Sequence, residues 1–214
     1  MPKVADPAVR TALLDAAARV IAEEGPKALT LRRLANEVGS STMAVYTHFG
    51  SMTGVRREVR REGFARLGER LSAVERTGDP VADYFVLGWA YYQSGTQEPN
   101  LYRAMFLDGP VDAEDAPVGL DTFAQCIDAA QRCIDAGRFT GSDALSIATQ
   151  LWAMLHGVVS LQLAHLLPED GALLSLAEGA RKLFQAYGDD ARALGRSFAR
   201  GRERILGSLG VAER

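Results

Sequence analysis

The sequence predicts an all-α chain with a small N-terminal helix-turn-helix unit and a larger C-terminal helical unit. Three observations predict it. Apolar residues recur at three- and four-residue spacing along most of the chain, and strand-like alternation is absent. Helix caps punctuate the pattern, above all Asp6-Pro7 and Asp79-Pro80, each a capping side chain followed by proline at the first helical position. The charge is also divided. Residues 1–76 carry 13 Lys+Arg against 9 Asp+Glu, a net of +4, whereas 77–214 carry 11 against 18, a net of −7.

The overall charge of −3 therefore hides a basic part and an acidic part. Such asymmetry marks a polyanion-facing unit joined to an acidic one, or arises by chance. The 214 residues are 47% hydrophobic and 24% charged, an average globular balance that argues against disorder, collagen-like repeats and a disulfide scaffold. At roughly 150 residues per domain the length suggests about 1.4 domains. No uninterrupted apolar run reaches the roughly 18 residues of a membrane span, so no membrane partner is expected. Met1–Asp6 lacks the apolar core of a signal peptide, and the expected compartment is the cytosol.

The elements follow in order. After Asp6-Pro7, the residues Val9, Leu13, Leu14, Ala17, Val20 and Ile21 form one apolar face, and Gly25-Pro26 stops the helix. Thr30 caps a short helix with Leu31, Leu34, Ala35 and Val38 inward, ended by Gly39. Ser41 caps a third helix from Thr42 to about Thr47. A fourth runs from Ser51 to about Arg76. Beyond Gly78-Asp79-Pro80, helices are expected at about 80–96, 99–107, 118–136, 142–166, 171–187 and 190–209, with an acidic loop from Asp108 to Pro117. The expected division is a helix-turn-helix domain at 1–52, a connecting helix at 53–78 and a C-terminal domain at 79–214.

The informative stretch is 29–50. Gly39 suits the tight turn between its two helices because glycine takes positive φ without a Cβ clash. Ala35 and Ala44 allow close approach, and Val38 and Val45 pack between. This is the helix-turn-helix arrangement, whose second helix lies in a major groove. Thr42, Met43, Tyr46 and Thr47 point away from Val45 and Phe49. A core helix would waste them on solvent, whereas a groove-reading helix uses small polar and apolar groups against base edges and thymine methyls. Thr30, Arg32, Arg33, Tyr46, His48 and two helix N-termini, the second capped by Ser41, surround it as phosphate-capable groups.

These residues carry a resemblance. Gly25-x4-Thr30-Leu31-x2-Leu34-Ala35-x3-Gly39-x3-Met43-Ala44-Val45-Tyr46-x-His48-Phe49, within about 7–55, resembles the DNA-binding domain of TetR-family transcriptional regulators. Glu98-Pro99-Asn100-Leu101-Tyr102 with Trp152-x3-His156-Gly157 is similar to the "WHG" type of C-terminal ligand-binding domain, over roughly 80–187. The resemblance implies an all-α homodimer: an N-terminal three-helix DNA-binding domain plus a C-terminal domain for effector binding and dimerisation. It implies a repressor released from a palindromic double-stranded operator by a small molecule. Carried over by position, Thr42, Met43 and Thr47 read bases, while Thr30, Tyr46 and His48 hold phosphates. One departure stands out. Met52 occupies the place of a usual lysine and cannot neutralise a phosphate; Arg56 or Arg57 lies one turn further on. Arg56, Arg57, Arg60 and Arg61 either set the field near the DNA backbone or form a solvated face balanced by Glu58 and Glu62.

In the C-terminal part, Tyr84, Phe85, Trp89, Tyr91, Tyr92, Tyr102 and Phe106 cluster in sequence, followed by Phe123 and Trp152. They serve as core or as the walls of a cavity for a mostly apolar or aromatic effector, with polar tips such as Gln162 or His156 orienting it. The candidate ligand residues are Trp89, Tyr92, Tyr102, Phe106, Phe123, Trp152 and His156. His156 has no second ligand at i±4, so a metal is not expected, and no cofactor is expected. Cys126 and Cys133 lie two helical turns, about 10 Å, apart, too far for a disulfide, and read as small buried hydrophobes. The apolar stretches at 142–166 and 171–187 are the expected dimer surface. The arginine-rich amphipathic tail at 190–209 runs past the usual end of the family domain. An enzyme is not expected, since no Gly-rich phosphate loop, His-Glu-x-x-His or nucleophile elbow occurs. The rival reading is a helical small-molecule-binding module without DNA affinity.

Overall fold

The computed structural model describes residues 6–209, whose regular elements are all helical with no strand among them. The signal-peptide expectation rests on Met1–Asp6, of which residues 1–5 lie outside the described residues. Ten α-helices form: α1 Pro7–Glu24, α2 Leu31–Glu37, α3 Thr42–Phe49, α4 Met52–Ser72, α5 Pro80–Gln97, α6 Pro99–Tyr102, α7 Leu120–Asp135, α8 Ala144–Leu163, α9 Glu169–Ala186 and α10 Ala191–Ser208. A π-helical turn, Arg103–Leu107, continues α6.

The caps act as their residue types dictate. Asp6 accepts the Ala8 N–H, Thr30 the Arg33 N–H, Ser41 the Ala44 N–H, and Asp143 the Ser146 N–H. Several helix ends differ from the sequence reading, among them α8, which spans Ala144–Leu163 rather than 142–166. α4 stops at Ser72 rather than near Arg76. The backbone that follows finds side-chain partners instead of helical ones: Arg204 donates to Glu75 O, Arg132 to Thr77 O, and the Thr77 N–H to Asp83. α9 starts at Glu169, two residues early, because Pro168 precedes it and two carboxylates fill its first turn.

The chain folds into two compact units: residues 1–66 with 97–120, and residues 67–96 with 121–214. In the first, α1, α2 and α3 pack on one another, with Leu13, Val20, Ile21, Leu34 and Val45 almost wholly buried. α6 lies against α1, where the Asn100 side chain donates to Ala22 O. The loop of 108–117 is tied to α4. Arg57 pairs with Asp112 and Glu114, and buried Arg60 donates to Asp115 O at 2.7 Å and Met105 O at 3.0 Å.

In the second unit α8 and α9 pair, and α10 packs on α9. The core centres on Phe184, fully buried among the rings of Tyr84, Phe139 and Phe198. Two carboxylates anchor it. Asp83 joins Thr77, Arg132 and Arg204, and Asp189 makes a two-pronged pair with Arg138 at 2.6 and 2.7 Å. α8 is long and apolar enough to cross a bilayer by length and composition. In this fold, however, it is a partly buried core helix, with Ile147, Ala148, Leu151 and Val159 turned inward.

α10 is held to α5 at a glycine. A Cβ at Gly201 would meet Phe85 Cδ1 at 2.7 Å and Ala82 O at 3.4 Å. Phe85 cannot retreat freely, because it stacks on Phe198 at 4.4 Å between ring centroids. Gly201→Ala is expected to lower stability by about 1–3 kcal/mol, the usual cost of overpacking, measured as the urea midpoint at unchanged slope.

Candidate functional site

The helix-turn-helix is assembled within the first unit. Gly39 takes φ +62° in the turn, Val45 is fully buried beneath α3, and Ala35 is buried on α2. The opposite face of α3 carries its large side chains into solvent: Met43 is 69% exposed and Tyr46 47%. Thr42 and Thr47 are exposed beside them. The Thr47 hydroxyl donates back to Met43 O at 2.9 Å, which occupies the hydroxyl proton and leaves the methyl as the group free to turn outward. Helix propensity explains none of this exposure, since burying Met and Tyr is favourable.

The surrounding phosphate candidates fall into two sets. Thr30 and Ser41 are exposed and act as caps. Their oxygens accept backbone N–H bonds, and their hydroxyl protons are still available to an anion. Arg32 is exposed and His48 half-exposed next to Phe49. Arg33 is differently placed. It pairs with Glu24 at 2.7 Å and with Glu37, which also takes Arg19 at 3.1 Å. Those hydrogen bonds raise the Arg33 guanidinium and lower the Glu37 carboxyl. The arginines of α4 divide likewise. Arg57, Arg60 and Arg61 are paired with Glu58, Asp112, Glu114 and Asp115, whereas Arg56 is exposed.

The second unit holds a cavity of about 600 Å³ between α5, α8, α9 and α10. That volume suits a drug-sized ligand. Its walls are Phe85, Trp89, Leu151, Met154, Leu155, Leu176, Phe184, Phe198 and Ile205 with smaller neighbours, and its charged lining residues are Arg181 and Arg202. Trp89 is the one candidate ligand residue on this wall. Tyr92 stacks beside Trp89 at 5.3 Å but is itself buried.

Across α5 lies a second void of only about 10 Å³, lined by Tyr91, Cys126, Trp152 and their neighbours. Phe123 packs edge-on to Trp152 at 5.8 Å, and His156 lies 3.2 Å from the Tyr91 hydroxyl through Nδ1. Burial pushes His156 below its ordinary value of 6.5, so its ring is neutral at pH 7. The thiols of Cys126 and Cys133 are pushed up by burial to about 12, which keeps them protonated and unreactive. Tyr102 and Phe106 belong to the first unit, where Phe106 sits against Tyr102 and Phe64 at 5.0 and 5.1 Å. Of the seven aromatic and histidine candidates, Trp89 lines the larger cavity and Trp152 the smaller void.

The α10 wall was beyond sequence reasoning. Phe198, Ala199, Arg202 and Ile205 face the cavity, and the only available signal was the amphipathic spacing of the tail.

Comparison with known proteins agrees with this geometry. Residues 13–59 match the model of bacterial regulatory proteins of the tetR family, and residues 85–200 match the tetracyclin repressor-like C-terminal domain. The chain is 27% identical over 97 residues to an uncharacterised HTH-type transcriptional regulator, YobS, of Bacillus subtilis (strain 168), a match covering 44% of this chain and half the length of that relative. A Rhodococcus sp. RHA1 protein of unknown function shares the fold with a TM-score of 0.76 at 21% identity, over 88% of this chain and 100% of that one. RolR in complex with resorcinol shares it with a TM-score of 0.67 at 15% identity, over 91% and 94%. With two family models covering the helix-turn-helix and most of the cavity-bearing unit, the chain belongs to the TetR family of transcriptional regulators, a family of DNA-binding proteins that are not enzymes.

Proposed function

We propose that this chain is a repressor that grips a palindromic operator as a homodimer and lets go when a small, mostly apolar effector enters the α5–α8–α9–α10 cavity. The observation that carries the reading is the exposed Met43 and Tyr46 face on a helix whose other side is buried. Thr42, Met43 and Thr47 touch base edges. Thr30, Ser41, Tyr46, His48 and Arg32 hold phosphates, with Arg33 available only if its pairs with Glu24 and Glu37 open. Arg56 is the α4 cation that takes over from Met52. The cavity supports effector binding, with Trp89 on its wall and Tyr92 behind it. Trp152, His156 and Phe123 form a second aromatic group, with Trp152 on the wall of the smaller void. Tyr102 and Phe106 are not among the residues that line this cavity.

The dimer forms through about 142–166 and 171–187. Leu145, Leu161 and Leu174 support this, being 56%, 45% and 65% exposed on α8 and α9. A two-fold axis there would present two α3 helices to successive major grooves about 34 Å apart.

Sedimentation of the chain with and without operator DNA, repeated across a salt series, tests the reading. A dimer whose DNA affinity falls by a factor of roughly 10³–10⁵ between low and physiological salt is expected, because several phosphate contacts release counterions. A monomer at micromolar concentration, or affinity indifferent to salt, contradicts it.

A further inference from the structure

The polar groups on the cavity wall point to one chemical class of effector. Apart from the Tyr84 hydroxyl, every side-chain nitrogen or oxygen on the wall is a donor without acceptor capacity: the guanidinium groups of Arg181 and Arg202 and the indole N–H of Trp89. No carboxylate lines the cavity. The Trp89 N–H is buried and has no hydrogen-bond partner. Arg181 and Arg202 are exposed, as is Ala199, so these three mark the side of the cavity open to solvent. Arg181 lies over the Phe198 ring, 5.6 Å from its centroid, and its nearest carboxylate is Glu178 at a loose 3.9 Å. One end of the space is therefore cationic and wet, and the rest is apolar.

A neutral apolar ligand would fill the walls and leave both guanidinium groups to water. An amine would meet two like charges. A ligand with an anionic head matches both regions, because charge-assisted bonds to a planar guanidinium are the stronger kind. On the effector reading proposed above, we infer that the effector is an amphipathic carboxylate, an acyl or aryl acid. Its apolar body lies among Phe85, Leu155, Phe184 and Phe198, and its carboxylate is held by Arg181 and Arg202.

Calorimetric titration tests this with matched probes: decanoate, decanol and decylamine, and hexylbenzoate with hexylbenzyl alcohol. Each is titrated into the wild-type chain and into the Arg181→Gln, Arg202→Gln double variant. Both positions are exposed, and an unchanged melting temperature checks that the variant folds. The expected result is that carboxylates bind the wild type at least roughly tenfold tighter than the matched alcohols, with the amine weakest. In the double variant the carboxylate advantage disappears while alcohol affinity stays the same. Equal binding of alcohol and carboxylate to the wild type, or a preference that survives in the double variant, overturns the assignment and leaves the cavity as an effector site for neutral molecules. Failure of every probe to bind a wild type that still binds DNA overturns the cavity as the effector site itself.

Discussion

Tyr46→Ala is expected to weaken operator binding by roughly 10- to 100-fold while leaving the helix content and melting temperature of the chain unchanged. Tyr46 projects from the face of α3 opposite Val45, with nearly half its surface in water. Its side chain is therefore no part of the core, and alanine is the better helix former. Its backbone carbonyl, which accepts the capping N–H of Gly50, survives the substitution. What is lost is a contact to DNA worth about 0.7–1.4 kcal/mol. A dimer loses it twice, which gives the stated factor. Thr42→Ala on the same face removes a base-edge contact, and its loss should depend on operator sequence where that of Tyr46 does not. Gel-shift titration and circular dichroism on the same preparations check both halves. Unchanged affinity in the Tyr46 variant would mean that another surface reads the DNA.

Asp83→Ala should cost about 3 kcal/mol of unfolding free energy. Asp83 is almost fully buried and collects four groups: the Thr77 N–H and hydroxyl, Arg132 at 2.9 Å and Arg204 at 2.6 Å, with Arg204 and Arg132 continuing to the carbonyls of Glu75 and Thr77. Removing one partner of a buried pair leaves the others uncompensated, at a typical cost of about 3–5 kcal/mol. The low end applies because both arginines keep a quarter of their side-chain surface in water.

The same group sets a pH dependence. Burial alone would raise the Asp83 carboxyl, but the hydrogen bonds from Thr77, Arg204 and Arg132 outweigh it and hold the group below its ordinary value of 3.8. A carboxylate depressed in the native state contributes stability that is complete well above the unfolded value. That contribution is lost as pH falls below 3.8 and through the native value. Urea unfolding across pH 3–7 is expected to show this acid-side loss in the wild type and a smaller one in the variant. Identical slopes would mean that Asp83 is not the anchor.

Much of the first three helices was legible because their signals are local. A cap side chain reaches two or three residues, and the apolar spacing of α1, α2 and α3 fixes which faces meet. The outward set on α3 followed from the inward Val45 and Phe49. What was not legible depends on long-range partners. Residues 97–120 fold with the N-terminal helices through Asn100 on Ala22 O and through the grip of Arg57 and Arg60 on the 108–117 loop. No spacing rule announces such pairs. Charge counting met the same obstacle: Arg33 and Arg57 look free in sequence and are bound to carboxylates in the fold. The cavity needed α10, whose amphipathic pattern was visible but whose seat against Gly201 and Phe85 was not.

The central claim is that α3, displayed twice by a dimer, reads a two-fold symmetric DNA site. Selection of DNA bound by the wild-type chain from a fragmented genomic pool tests it most directly. The account predicts enrichment of an inverted repeat whose half-site centres lie about one helical turn, roughly 10 base pairs, apart or a multiple of it, with enrichment lost for the Tyr46→Ala chain. Fragments no richer than the starting pool, or an enriched site without two-fold symmetry, would contradict it.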